Sequence, residues 1–114
     1  MHELSIAQAL VDQVEAVRQA NGGGRVASVE VRIGEWRQVV PEILTDYFAY
    51  LSQGTPLEAA RVEIDRVAAT ARCDDCAQVF PLDDIFLLCP ACGSRACELL
   101  TGRELELIGL ELED

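Results

Sequence analysis

The chain has 114 residues, half of them hydrophobic and only 5% aromatic. That suffices for one mostly aliphatic core and argues against wholesale disorder. Nine Arg and no Lys stand against 20 Asp plus Glu, a formal charge of −11, which zinc on four thiolates would take to about −13. A surface of that sign repels phosphate backbones and anionic lipid, and so few aromatics leave no stacking platform for bases. No nucleic acid and no membrane is expected as a partner.

Leu4, Ala7, Leu10, Val11, Val14 and Val17 recur at three- and four-residue steps, the stripe of an amphipathic helix. Ser5 and Gln8 have the spacing of a capping box, and Glu3 suits the positive end of the helix dipole. Glu3, Asp12 and Glu15 interrupt the apolar residues, so this stretch does not read as a signal peptide. No apolar run reaches the roughly 18 residues of a spanning helix. A cytoplasmic protein with reduced thiols is expected.

Asn21-Gly22-Gly23-Gly24 should stop the helix, after which Val29, Val31 and Ile33 alternate with Glu30, Arg32 and Gly34 as a half-buried strand. Pro41 fits the first turn of a second helix, with Ile43, Leu44, Tyr47, Phe48 and Leu51 as its buried face and Gly54 as its end. A second strand places Val62 and Ile64 inward; its parity then shifts to Val67, Ala69 and Ala71, as at a bulge or twist. A last strand over 103–112 alternates Leu105 and Leu107 with Glu104 and Glu106, slipping at Ile108-Gly109. The expected class is α+β: a small mixed sheet of about three strands with two helices, plus an inserted zinc-ribbon module. Residues 1–70 and 102–114 would form the discontinuous α/β domain, and 71–101 the insertion, which is too poor in apolar residues to fold without a staple.

All five cysteines lie in that insertion. Cys73-Asp-Asp-Cys76 and Cys89-Pro-Ala-Cys92 are two C-x-x-C pairs twelve residues apart. Each pair can aim two sulfurs at one point, and two pairs facing each other make a tetrahedral four-thiolate site, which leaves zinc no open position and so a structural task. Gly93 suits the turn after the second pair, whereas Ala77 stands at the matching place after the first. Reduced free thiols, a redox C-x-x-C and a rubredoxin-like iron centre compete with zinc. Cys97 reads as a small buried hydrophobe or as a spare ligand.

The one histidine of the chain is residue 2. There the α-amine, the His2 amide nitrogen and the His2 ring nitrogen can close fused chelate rings on one metal. Such donors suit square-planar Ni(II) or Cu(II). Glu3 offers a fourth donor, by its backbone nitrogen or its carboxylate. Such an open site suits a carrier that hands its metal on. Trp36, near the end of the first strand, reads equally as an exposed docking anchor or as a core residue.

These residues resemble the HypA/HybF family of nickel metallochaperones of hydrogenase maturation. The likeness runs through Met1-His2-Glu3-Leu4-Ser5, Val29-Glu30-Val31-Arg32-Ile33-Gly34-Glu35 and Val40-Pro41-Glu42. It continues through Gly54-Thr55-Pro56-Leu57-Glu58, both C-x-x-C pairs and Gly102-Arg103-Glu104-Leu105-Glu106. It implies that Met1, His2 and Glu3 bind Ni(II) for transfer and that Cys73, Cys76, Cys89 and Cys92 bind a structural Zn(II). The implied partners are a nickel-handling maturation GTPase and the large-subunit precursor of a [NiFe] hydrogenase, with urease maturation proteins in some relatives. The departures are Ala77 and the extra Cys97.

The rival function is a zinc-ribbon protein-interaction module with no nickel role. An enzyme is disfavoured: no Ser/His/Asp set exists without His2, and Gly22-Gly23-Gly24 follows a helix and precedes a strand, the wrong order for a nucleotide loop.

Overall fold

A computed structural model describes residues 3–82 and 87–113. Its elements in chain order are α1 (Glu3–Ala20), β1 (Val26–Gly34), a 3-10 turn (Glu35–Arg37), α2 (Pro41–Ser52), β2 (Arg61–Val67), β3 (Thr70–Cys73), β4 (Val79–Pro81), β5 (Cys97–Thr101) and β6 (Leu105–Leu112). They form two three-stranded sheets, β2-β1-β6 and β4-β3-β5. The chain divides into two compact units, one of Met1–Arg32, Val39–Asp65 and Glu106–Asp114, the other of Ile33–Gln38 and Arg66–Leu105.

In the first unit α1 packs on α2, and Ile6, Ala7, Leu10 and Val14 of α1 are buried with Leu44 and Phe48 of α2. Val26, Val29 and Val31 of β1 and Leu57 complete this core, each fully buried large side chain contributing about 1.5–3 kcal/mol. Helix α1 ends in a Schellman arrangement: the Gly23 N–H donates to Arg18 O at 2.9 Å and the Gly22 N–H to Gln19 O at 3.3 Å. Gly22 sits at φ +92°, which glycine adopts without strain. The expected capping box does not form, because α1 starts at Glu3 and Ser5 lies inside the helix, while Gln8 donates to Asp12 instead.

Pro41 is the first residue of α2, as its missing N–H allows. The buried face is narrower than expected. Leu44 and Phe48 are buried as expected, with Ser52 beside them and Leu51 half-buried, whereas Ile43 and Tyr47 are exposed. The apolar residues of α2 cover more than one face, so periodicity alone does not choose between them. The parity shift after Ile64 falls within β2, whose half-buried residues are Val62, Ile64 and then Val67. The chain then passes to β3, starting at Thr70 in the other sheet, where the β3–β5 register shifts between Thr70 and Ala71. In β6 the half-buried parity changes after Gly109, where a Cβ would lie 2.9 Å from the Glu30 carboxylate.

In the second unit, β3 pairs antiparallel with both β4 and β5. Ala71, Cys73, Phe80 and Cys89 form its core, with Leu82, Leu87 and Cys97 packed against them. A close backbone crossing braces this unit elsewhere. The Gly34 N–H donates to Glu104 O at 2.8 Å and the Trp36 N–H to Gly102 O at 2.9 Å, and a Cβ at Gly34 would run into the Gly102 backbone. Trp36 is half-buried.

Candidate metal centre

The cysteine cluster is built from two turns that repeat each other bond for bond. In the first, the Ala77 N–H donates to Cys73 O at 2.9 Å and the Cys73 N–H to Gln78 O at 2.9 Å. In the second, the Gly93 N–H donates to Cys89 O at 2.9 Å and the Cys89 N–H to Ser94 O at 3.0 Å. The residue after each second cysteine takes the left-handed conformation, φ +63° at Ala77 and φ +74° at Gly93. Glycine takes that region at no cost, while an L side chain is strained there. Between the turns, the Asp74 N–H donates to Ala96 O at 2.7 Å, and the Ser94 hydroxyl donates to the Asp75 carboxylate.

The four sulfurs of Cys73, Cys76, Cys89 and Cys92 lie within 4.8 Å of one another. Cys73 and Cys92 are 3.6 Å apart, as are Cys76 and Cys89. A tetrahedral zinc with Zn–S bonds near 2.3 Å requires sulfurs about 3.8 Å apart, so the cluster fits a zinc ribbon. Cys73 and Cys89 are buried, Cys76 and Cys92 exposed.

Backbone N–H groups tune the buried sulfurs. The Cys76 N–H, helped by that of Asp75, holds the Cys73 thiol down at about 7. The Cys92 N–H, with that of Ala91, lowers Cys89 in the same way. For Cys92 the Ser94 N–H pulls downward, but the Cys73 thiol beside it and burial outweigh it and carry the group up to about 12. The Cys73–Cys92 contact therefore joins a readily ionised sulfur to a reluctant one. Each such shared proton is one that a cation bound among the sulfurs would displace. Four sulfurs around one point, two of them lowered by backbone N–H groups, make a closed site with no position left for a substrate.

A family model described as hydrogenase/urease nickel incorporation, metallochaperone, HypA matches residues 1–112. The chain belongs to the HypA family. A hydrogenase maturation factor HypA of Roseiflexus sp. (strain RS-1) is 42% identical over 115 positions, spanning 100% of this chain and 94% of that one. One from Geobacter sulfurreducens is 41% identical over 113 positions, spanning 99% of this chain and 100% of its own. The fold is that of a solution structure of the nickel metallochaperone HypA from Helicobacter pylori. The match has a TM-score of 0.70 at 24% identity and covers 98% of this chain and 97% of the other. Family membership makes this chain a nickel-incorporation metallochaperone of hydrogenase/urease maturation.

Of the other expected site residues, Met1 and His2 lie outside the described residues. Glu3 is the first residue of α1. Its carboxylate Oε2 accepts a hydrogen bond at 2.8 Å from the N–H of Val40, the residue that caps the start of α2. Thirty-seven positions separate the two residues, and no local pattern in the sequence could have pointed to the link. Cys97 stands outside the four-sulfur group, half-buried and packed against the core of the second unit. Its thiol contacts Ser94 O at 3.6 Å. Burial pushes the Cys97 thiol up, and the neighbouring Cys73 adds to the effect.

Proposed function

We propose that this chain binds Ni(II) at Met1, His2 and Glu3 and delivers it to a [NiFe] hydrogenase precursor, while Zn(II) on Cys73, Cys76, Cys89 and Cys92 holds the second unit together. The observation that carries the reading is membership of a nickel-incorporation family over residues 1–112, in a chain that opens Met-His-Glu. Donors for nickel are the Met1 amine, the His2 amide nitrogen and the His2 imidazole. Deprotonated amides are strong-field ligands that suit square-planar Ni(II).

The position of Glu3 supports a backbone role for the fourth donor. Its carboxylate already serves as an acceptor at the start of α2, where the partial positive charge of the helix end favours an anion. Its own N–H belongs to the first turn of α1, whose N–H groups point out of the helix toward the chain end. The carboxylate thus anchors the metal-binding arm, and the main-chain nitrogen completes the donor set. Zinc supplies a closed four-coordinate cross-link for a segment whose own core is small.

Transfer then proceeds by ligand exchange, donors of the receiving site displacing the N-terminal ones in turn. The protein acts as a carrier in the cytoplasm and not as a catalyst. Its partners are a nickel-handling maturation GTPase and the hydrogenase large-subunit precursor, with urease maturation proteins as a further client route.

The test is a calorimetric Ni(II) titration of tag-free protein with its native Met1, beside His2→Ala, with zinc counted in both by elemental analysis. Saturable binding in the native protein alone, at equal zinc content, is the expected result. Equal nickel binding in both, or none in either, would leave a zinc-stapled interaction domain.

A further inference from the structure

The fifth cysteine faces one of the four cluster cysteines across a pair of strands. In the β3–β5 ladder Cys97 is the register partner of Cys73. The main-chain groups of Cys73 turn away from β5: its N–H donates to Gln78 O and its carbonyl accepts from the Ala77 N–H. The Cys97 N–H turns away as well, toward Arg95 O, and the bond between the two segments comes one residue on, from the Asp74 N–H to Ala96 O. Cys73 and Cys97 therefore occupy a non-hydrogen-bonded antiparallel pair, in which Cα atoms stand about 4.5 Å apart with both side chains on one face. A disulfide needs Cα atoms about 4.4–6.8 Å apart. The two side chains share one packed cluster with Ala71, Phe80 and Cys89.

Cys97 is half-buried rather than sealed. In the reduced protein its thiol is set toward the Ser94 carbonyl and does not belong to the group of four converging sulfurs. It is thus a reserve thiol beside the most buried ligand position, Cys73 being 0% exposed.

We propose that Cys73 and Cys97 are a peroxide-sensitive modification site, closing a cross-strand disulfide that withdraws Cys73 from the metal cluster. In the first step the sulfur of Cys97, the more exposed of the two, attacks one oxygen of hydrogen peroxide while its proton passes to the departing oxygen. The O–O bond breaks, leaving a sulfenic acid on Cys97 and water. In the second, the Cys73 thiolate attacks the Cys97 sulfur, the S–S bond forms, and the sulfenic oxygen leaves as hydroxide. One thiolate, one thiol, one peroxide and one proton give one disulfide and two waters. Each sulfur gives up one electron and the peroxide takes both. Three cysteines then remain at the cluster, too few for a closed tetrahedral set. The metal consequence rests on the zinc reading above, whereas the cross-link itself does not.

The experiment uses the full chain as purified, with metal content measured, treated with hydrogen peroxide beside a chromophoric zinc chelator. Cys97→Ser and Cys97→Ala are run in parallel, with circular dichroism to check folding. Peptide mapping should find the 73–97 disulfide as the first product, and the native chain should release metal about tenfold faster than either variant, the two thiols being held side by side. Dithiothreitol with added zinc should restore the original state. A first disulfide within the four-cysteine set, or equal release rates in native and variant proteins, would overturn the proposal. So would loss of metal from both untreated variants, which would place Cys97 among the metal-holding residues. Protein that carries no zinc but still forms the 73–97 disulfide would refute the zinc reading alone.

Discussion

Exchanging Ala77 for glycine relieves the one point at which the first cysteine turn departs from the second. Ala77 stands at φ +63° and Gly93 at φ +74°, with the same hydrogen bonds around each. An L-residue in the left-handed region costs about 1–2 kcal/mol. Glycine returns about 0.4–1 kcal/mol of that through the greater freedom of the unfolded chain. The net gain for Ala77→Gly is about 1 kcal/mol, close to a fivefold change in an equilibrium constant. The mirror exchange, Gly93→Ala, should lose a similar amount, and for the same reason only, since nothing lies within 4 Å of a Cβ built there. Chemical denaturation of the metal-loaded protein, with competition against a chelator of known zinc affinity, reads both. The two shifts should have opposite signs and nearly cancel in the double variant. A destabilised Ala77→Gly, or a neutral Gly93→Ala, would refute the idea that backbone strain distinguishes the two turns.

Glu3→Ala removes the acceptor at the start of α2 and should cost about 1 kcal/mol in urea denaturation. On the proposed main-chain nitrogen donor its Ni(II) stoichiometry in the calorimeter should be unchanged; loss of binding would assign the carboxylate to the metal. Ser52 is fully buried, with no hydrogen-bond partner for its hydroxyl among the described residues. Ser52→Ala should therefore raise stability by about 1 kcal/mol, and a fall would show that the hydroxyl is satisfied. Glu15 accepts from Arg18 Nε at 2.9 Å and from the Gln19 amide at 2.9 Å. The Arg18 bond first, and then that of Gln19, hold the Glu15 carboxyl at about 2 against an ordinary 4.5. A carboxyl lowered in the folded state stabilises above its unfolded value, and that contribution is lost as pH falls from about 4.5 through 2. Carbon-detected NMR titration should give a Glu15 midpoint near 2, moving up toward 4.5 in Arg18→Gln; a midpoint already near 4.5 in the native chain would refute the ion pair.

Local patterns carried what local physics decides. The helix α1, the glycine stop behind it, the alternation of β1 and proline at the start of α2 each depend on neighbouring residues, and each stands where the sequence places it. The stripe of α1 is corrected at its start, where Leu4 is exposed and Ile6 is buried with Ala7, Leu10 and Val14. Both C-x-x-C pairs were legible for the same reason, because a turn of that spacing positions two sulfurs by itself, and only their meeting within 4.8 Å required the fold.

What periodicity could not decide was which neighbour each face would meet. The apolar residues of α2 allow more than one buried face, and packing against α1 selects Leu44 and Phe48 over Ile43 and Tyr47. After Val67 the chain passes from one sheet to the other, which a single strand's pattern does not reveal. Glu3 meets Val40 across 37 positions, and Cys97 faces Cys73 across a strand register. From its sequence the protein is a HypA-type chain that opens Met-His-Glu and carries two cysteine turns, since those features rest on spacing along the backbone. Only the tertiary structure decides that Glu3 braces a second helix and that the fifth cysteine faces a cluster sulfur, because pairings between distant residues are chosen by the packing of whole elements.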